Sequence, residues 1–288
     1  MPSALVLIDK QQGWTSHDVV AKLRGILGTR KIGHAGTLDP MATGLLVLGV
    51  DGGTKLLQFI SGSDKQYLAT IRLGAATHTD DAEGEILSSA SALSVTQEQI
   101  DAEIAKLTGE ITQVPSSVSA IKVDGKRAYD LVRDGKEVEL KGRKVTVSKF
   151  QRTSDPRQVG EYLDFDVLVD CSSGTYIRAL ARDIGAALGV GGHLTMLRRT
   201  KIGNFDLANA TEIAKTPAPI SLVEASQKLF ETIELRNDEA RDIVHGKRIS
   251  REASGMIAAT WNSALLAVLE PAGTELKSVV VFPEVFNA

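Results

Sequence analysis

The segment Gly33-His34-Ala35-Gly36-Thr37-Leu38-Asp39-Pro40-Met41-Ala42-Thr43-Gly44 concentrates residues that could do chemistry. Three glycines allow close backbone approach to another group. Pro40 pushes Asp39 toward an extended backbone, so the carboxylate stands off the chain. Such a carboxylate can cap a turn by accepting a backbone N–H, or it can meet a substrate. Residue types and spacing alone leave both open.

The elements that must position this loop can be read from periodicity. Ala4–Ile8 is a short apolar run ending at a polar turn, the pattern of a buried strand. Val19, Val20, Leu23, Ile26 and Leu27 recur at helical spacing, with Ser16 expected as N-cap and Gly28 as terminator. Leu45–Val50 reads as a strand buried on both faces. Tyr67–Leu73 predicts another strand, and residues 96–107 an exposed amphipathic helix carrying Ile100, Ile104 and Leu107. Leu163, Phe165, Val167, Val169 and Cys171 alternate with Asp164, Asp166 and Asp170, which predicts a half-buried antiparallel strand. A helix is expected over Tyr176–Leu188, closed by Gly189. Beyond about residue 231 the pattern changes to one short helix and several strand-length pieces, so the domains are expected at 1–231 and 232–288.

The chain has 288 residues and a formal net charge of −3. Its longest apolar runs, such as Ala264–Leu269, fall well short of the roughly 20 residues a membrane-spanning helix needs. The N-terminus lacks a basic leader, and a single cysteine, Cys171, excludes a disulfide framework and a Cys-rich zinc site. A cytoplasmic location is therefore the default expectation. The five histidines are scattered, and neither a Walker loop nor a dinucleotide fingerprint occurs; no metal is expected. The near-neutral total hides local imbalance. Residues 79–110 hold eight acidic groups against one lysine, whereas residues 122–152 hold ten basic groups against five acidic ones. Charge acts over roughly 8–10 Å at physiological salt, so the second stretch is either a cationic binding face or a solvated surface.

The Gly33–Gly44 segment matches the G-H-x-G-x-L-D-P-x-A-x-G signature of the TruB-type tRNA pseudouridine synthases. Further blocks follow that family's order. They are Asp9-Lys10 with Gly13, Asp64-Lys65-Gln66-Tyr67, Thr77-His78-Thr79-Asp80-Asp81-Ala82-Glu83-Gly84, and Cys171-Ser172-Ser173-Gly174-Thr175-Tyr176-Ile177-Arg178 with Gly192-His193-Leu194 and Leu197-Arg198-Arg199. The resemblance spans about 190 residues; the C-terminal piece is similar only loosely to PUA-like RNA-binding modules. It implies a mixed α/β fold, with a large antiparallel-rich sheet flanked by helices and a small β-rich C-terminal domain. It implies isomerisation of a tRNA T-loop uridine, position 55, to pseudouridine without a cofactor. Asp39 matches the family's catalytic aspartate, Arg178 its active-site arginine and Tyr67 its active-site tyrosine. His34 matches the histidine that fills the space of the flipped base, Asp81 an acid that orients Arg178 or Tyr67, and Leu197 a residue lining the uracil pocket. Lys10, in the first block, is expected at the substrate. Asp80 lies outside the motif and is expected to face solvent.

Lys122, Lys126, Arg127, Arg133, Lys136, Lys141, Arg143 and Lys144 fall where the family carries an RNA-clasping insertion, about 115–150. Lys247 and Arg248, with His245 and Arg251, form a second basic cluster that could meet the acceptor stem. The implied partner is tRNA through its T-arm, with no membrane and no protein partner. Two other readings stay open: a non-catalytic tRNA-folding helper on the same scaffold, and a pseudouridine synthase for a different RNA.

Overall fold

A computed structural model describes residues 3–116, 122–123, 126–127, 140–214 and 217–286. The chain is mixed α/β and divides into two compact units. One comprises residues 1–39, 45–61 and 204–288; the other comprises 40–44 and 62–203.

The first unit begins with β1 (Ala4–Lys10), α1 (Ser16–Leu27), β2 (Ile32–Ala35) and most of β3 (Thr43–Val50). β1 lies beside β3 and also pairs with Thr211–Glu212 in parallel and Ile220–Ser221 antiparallel. β2 runs antiparallel to β3, placing His34 opposite Leu48. The apolar face of α1, Val19, Val20 and Leu23, closes on Val6, Ile8, Leu46, Leu48 and Val50.

The helix start differs from the sequence expectation by one residue. Thr15 is the N-cap: its side chain accepts from the Asp18 N–H at 3.0 Å, while Asp18 Oδ2 accepts from the Thr15 N–H at 2.8 Å. This reciprocal capping box satisfies two otherwise orphaned donors. Ser16 is thereby released for another task. Buried, its hydroxyl accepts from the Leu38 N–H at 2.9 Å and faces the Leu38 carbonyl at 3.2 Å, pinning the residue before Asp39.

The second unit is built on β4 (Lys65–Leu73), the hairpin of β5 (Ala75–Thr77) and β6 (Ile86–Ser89), α2 (Gln97–Lys106), β7 (Gly109–Gln113), β8 (Arg143–Arg152), β9 (Tyr162–Cys171), α3 (Ile177–Ala187) and β10 (Gly192–Ile202). Its sheet runs β10-β4-β9-β8-β7, every pairing antiparallel. Phe165, Val167, Val169 and Cys171 are buried as the alternation predicts. The intervening acids are not simply solvated. Each has a cross-strand partner on β4: Asp164 takes a two-point bond from Arg72, Asp166 accepts from Thr70 at 2.6 Å, and Asp170 accepts from Gln66 at 2.8 Å. Opposite residues in an antiparallel pair are near enough to bond, so these rungs fix the register that aligns Tyr67. Thr43 and Gly44 pair in parallel with Arg198 and Arg199 of β10. Gly44 has φ +100°, and a Cβ there would run into the Arg199 backbone; only glycine fits.

Returning to the first unit, β11 (Glu231–Glu234), α4 (Asn237–Val244), β12 (Ile257–Trp261), β13 (Ala264–Ala272) and β14 (Glu275–Val281) form a four-stranded sheet with its own apolar core. This is the β-rich C-terminal domain the resemblance implies. Within the unit it is tied to the 51–61 region: Lys55 Nζ donates to the Val281 carbonyl at 2.7 Å and lies over the Phe282 ring. Among the described residues no helix is long and apolar enough to cross a membrane.

Candidate active site

Four of the sequence-predicted residues lie in the second unit: Tyr67 and Leu197 on its sheet, and Arg178 and Asp81 joined by an ion pair. Tyr67 is buried and stands directly opposite Val169 on β9 and Arg199 on β10. Two residues along, Ala69 faces Leu197. Residues at i and i+2 of a strand share a face, so Tyr67 and Leu197 lie on one side of the sheet.

Arg178 is the second residue of α3 and is only 5% exposed. A helix arginine usually faces solvent; here the structure buries it. Its Nη1 donates to the Thr79 carbonyl at 2.7 Å and lies 3.3 Å from Asp81 Oδ2. Asp81 is 3% exposed, and its carboxylate is the partner of that guanidinium.

The spacing Thr77, Thr79, Asp81, Gly84 has a local explanation. Thr77 Oγ1 donates to the Asp81 carbonyl at 2.7 Å, Thr79 Oγ1 donates to Asp81 Oδ1, and the Glu83 N–H donates to the same oxygen at 3.1 Å. Gly84 closes the turn against Thr79, where a Cβ would collide with the Thr79 hydroxyl and amide. Thr77 thus holds the Asp81 backbone and Thr79 its carboxylate, which faces the guanidinium.

Asp39 and His34 belong to the first unit. Asp39 is half-buried, held through Leu38 by Ser16, and it directly precedes Pro40, where the chain enters the second unit. His34 is half-buried, and its ring meets His17 edge-on with centroids 5.6 Å apart. Lys10 is fully buried; its ammonium donates to the carbonyls of Trp14 at 2.6 Å and Gln11 at 3.1 Å, bracing the turn before α1.

The basic residues divide. Lys122 and Lys126-Arg127 lie on two short paired strands, while Arg133 and Lys136 lie outside the described residues. Lys141, Arg143 and Lys144 are exposed, the last two on β8. In the C-terminal domain Lys247 is paired with Asp242 at 2.9 Å, Arg248 with Glu275 at 3.5 Å and Arg251 with Glu239 at 2.6 Å. Each of these cations has an acid beside it, which reduces the field the cluster offers to phosphate.

Sequence reasoning passed over three buried groups. Arg199, opposite Tyr67, is 1% exposed and is among the largest fully buried side chains described. Lys65, two residues before Tyr67 on the same face, is pushed down to about 8, first by burial and then by the positive charge of Arg199. The signal for both was present, since alternation along β4 and β10 puts them on the Tyr67 face. The third is Asp80, expected at the surface and found buried. Its carboxylate accepts from Ser116 at 2.6 Å and pairs with Arg182 at 3.2 Å. Cys171 is buried in β9, and burial pushes its thiol up to about 11. It is an unreactive core residue, as its place in the alternation predicts.

Residues 24–177 match the model of the TruB family pseudouridylate synthase N-terminal domain, residues 178–225 that of a tRNA pseudouridylate synthase B C-terminal domain, and residues 230–283 that of a tRNA pseudouridine synthase II C-terminal domain. A tRNA pseudouridine synthase B of Leifsonia xyli subsp. xyli is 53% identical over 293 residues, covering 98% of this chain and 97% of the relative. One of Arthrobacter sp. is also 53% identical, with the same coverage. A solved H/ACA ribonucleoprotein bound to a substrate RNA containing 2'-deoxyuridine shares the fold, with TM-score 0.71 and 22% identity over 97% of this chain and 84% of that one. The chain belongs to the TruB family of pseudouridylate synthases.

Proposed function

We propose that the protein isomerises the T-loop uridine at position 55 of tRNA to pseudouridine, with Asp39 as the catalytic carboxylate. The observation that carries this reading is the buried Asp81–Arg178 pair in a chain of this family. A guanidinium fixed by one carboxylate and one carbonyl is pre-aimed and pays little reorganisation when a second anion arrives.

The reaction breaks the N1–C1′ bond, turns the uracil and joins C5 to C1′. The C5 proton leaves and N1 gains one, so the product is an isomer and no external electron carrier is consumed. Tyr67 lies against the base and receives the C5 proton, directly or through water. Leu197, on the same face, supplies apolar lining for the uracil. The uridine must leave its stack, which costs a few kcal/mol, and His34 fills the space it vacates. The exposed Arg143 and Lys144 meet backbone phosphates of the T-arm, while loop shape selects the site.

The test is incubation with an unmodified tRNA transcript, followed by chemical mapping of pseudouridine. The wild type is expected to modify position 55. Asp39→Asn is expected to abolish product while melting temperature and tRNA affinity persist. Normal turnover by that variant removes Asp39 from the chemistry, and product at another position removes the T-loop assignment.

A further inference from the structure

Asp80 is outside the family signature, yet it occupies an unusual place. Its φ is +59°, a left-handed conformation that few residues other than glycine adopt. Aspartate and asparagine tolerate it better than most. The conformation has a geometric consequence. In extended chain, successive side chains point to opposite faces, so Asp80 and Asp81 would diverge. With the left-handed turn, both carboxylates reach the same helix. Asp81 meets Arg178 at 3.3 Å and Asp80 meets Arg182 at 3.2 Å. Arg178 and Arg182 are four apart on α3 and share a face. The result is a two-rung ladder of charges between a turn and a helix.

A third strand of contacts joins this ladder to the segment after β7. Ser116, wholly buried, donates to Asp80 Oδ2 at 2.6 Å. Arg182 Nη2 donates to the Val114 carbonyl at 2.7 Å. Gln113, also buried, accepts from the Tyr176 N–H at 2.8 Å and donates to the Tyr176 carbonyl at 3.1 Å, where α3 begins. The Asp80 backbone contributes as well, because its carbonyl accepts from the Leu194 N–H at 3.1 Å on β10, the strand carrying Leu197. Burial raises the tendency of the Asp80 carboxyl to hold its proton, and the Ser116 and Arg182 contacts oppose this.

We propose that Asp80 is a positioning residue for uridine isomerisation: by tying Ser116 and Arg182 to the turn, its carboxylate fixes the Asp81–Arg178 pair in register. This rests on the reading that Arg178 serves the reaction. Asp80→Asn is the informative variant, because asparagine accepts the same backbone conformation and the change isolates the carboxylate. Single-turnover tritium release from tRNA labelled at uridine C5, at saturating enzyme, reads the chemical step; filter binding reads affinity. Asp80→Asn is expected to slow the step between about tenfold and a hundredfold, the scale of a misplacement of roughly one ångström, with tRNA affinity unchanged. Ser116→Ala is expected to slow it less, and the double variant no more than Asp80→Asn alone, because both cut one connection. Arg178→Lys is the comparator. If Arg178→Lys is slow and Asp80→Asn retains the wild-type rate, the positioning role is overturned. If Arg178→Lys keeps the wild-type rate, the reading of Arg178 itself falls. Should Asp80→Asn fail to fold, Ser116→Ala decides: a slowed step with intact binding supports the role, and an unchanged step overturns it.

Discussion

Removing Arg178 tests stability and chemistry separately. Arg178 and Asp81 side chains are 6% and 4% exposed, and they lie 3.3 Å apart. Taking away one member of such a pair leaves a charge in the interior and costs about 3–5 kcal/mol. Asp81 keeps the Thr79 hydroxyl and the Glu83 N–H, so the cost of Arg178→Met should sit near the lower end, about 3 kcal/mol. At roughly 2–4 °C per kcal/mol for a chain of this size, the melting temperature should fall by about 6–12 °C. Arg178→Met/Asp81→Asn removes both charges and should melt above Arg178→Met alone, because the stranded carboxylate is gone. Calorimetry on the wild type, both single variants and the double gives the coupling free energy. All three variants should lack pseudouridine activity. A loss below about 1 kcal/mol for Arg178→Met, the scale of an exposed pair, would refute the buried-pair account. A double variant melting at the sum of the two singles would refute the coupling.

Two further outcomes follow from groups outside that pair. Arg143→Glu with Lys144→Glu should weaken tRNA binding and lower its salt slope by roughly one for each phosphate no longer neutralised; filter binding across a potassium chloride series checks this, and unchanged affinity at every salt leaves β8 a solvated edge. Lys65 loses its proton near pH 8 in the folded chain and near 10.5 when unfolded. Between those values the unfolded state binds more protons, so stability should rise with pH. The whole rise is roughly 3–4 kcal/mol, at roughly 1.4 kcal/mol per unit. Denaturant melts from pH 7.5 to 10.5 should show it in the wild type and not in Lys65→Met.

Much of the frame was legible in local pattern. The strands at 65–73 and 162–171 announced themselves by apolar runs and alternation, and the helix over 177–187 by its period. The candidate site residues were read by a different route, as letters of a family signature, and the structure supplies the bonds beneath some of those letters: Thr77 and Thr79 hold Asp81. What local pattern did not carry was long-range partnership. Ser16 and Thr15 are both good capping residues, and only the position of Leu38 shows that Thr15 caps while Ser16 holds the loop. The partners of β1 come from Thr211–Glu212 and Ile220–Ser221, which no window around β1 contains. Asp80 escapes a local reading for the same reason. Charged residues are rarely fully buried unless paired, and its partners, Ser116 and Arg182, are distant in sequence.

The grouping of Asp80, Asp81, Arg178 and Arg182 bears on why this chain tolerates an expensive arrangement of charges. Apolar residues of similar volume often replace a buried ion pair with no loss of stability, so stability alone does not account for the buried Asp81–Arg178 pair with the partly exposed Asp80–Arg182 pair beside it. Their arrangement serves a different end. Carboxylates on a stiff turn and guanidiniums one helical turn apart hold each other in one geometry, whereas apolar contacts would let either element slide. A site that must receive an extruded base and stabilise charge on it gains from donors already in place. Ser116 is joined to the same ladder through Asp80, so the geometry at Arg178 depends on the segment after β7 as well as on α3. Substitutions at Ser116 should therefore alter the rate of the chemical step before they alter the strength of tRNA binding.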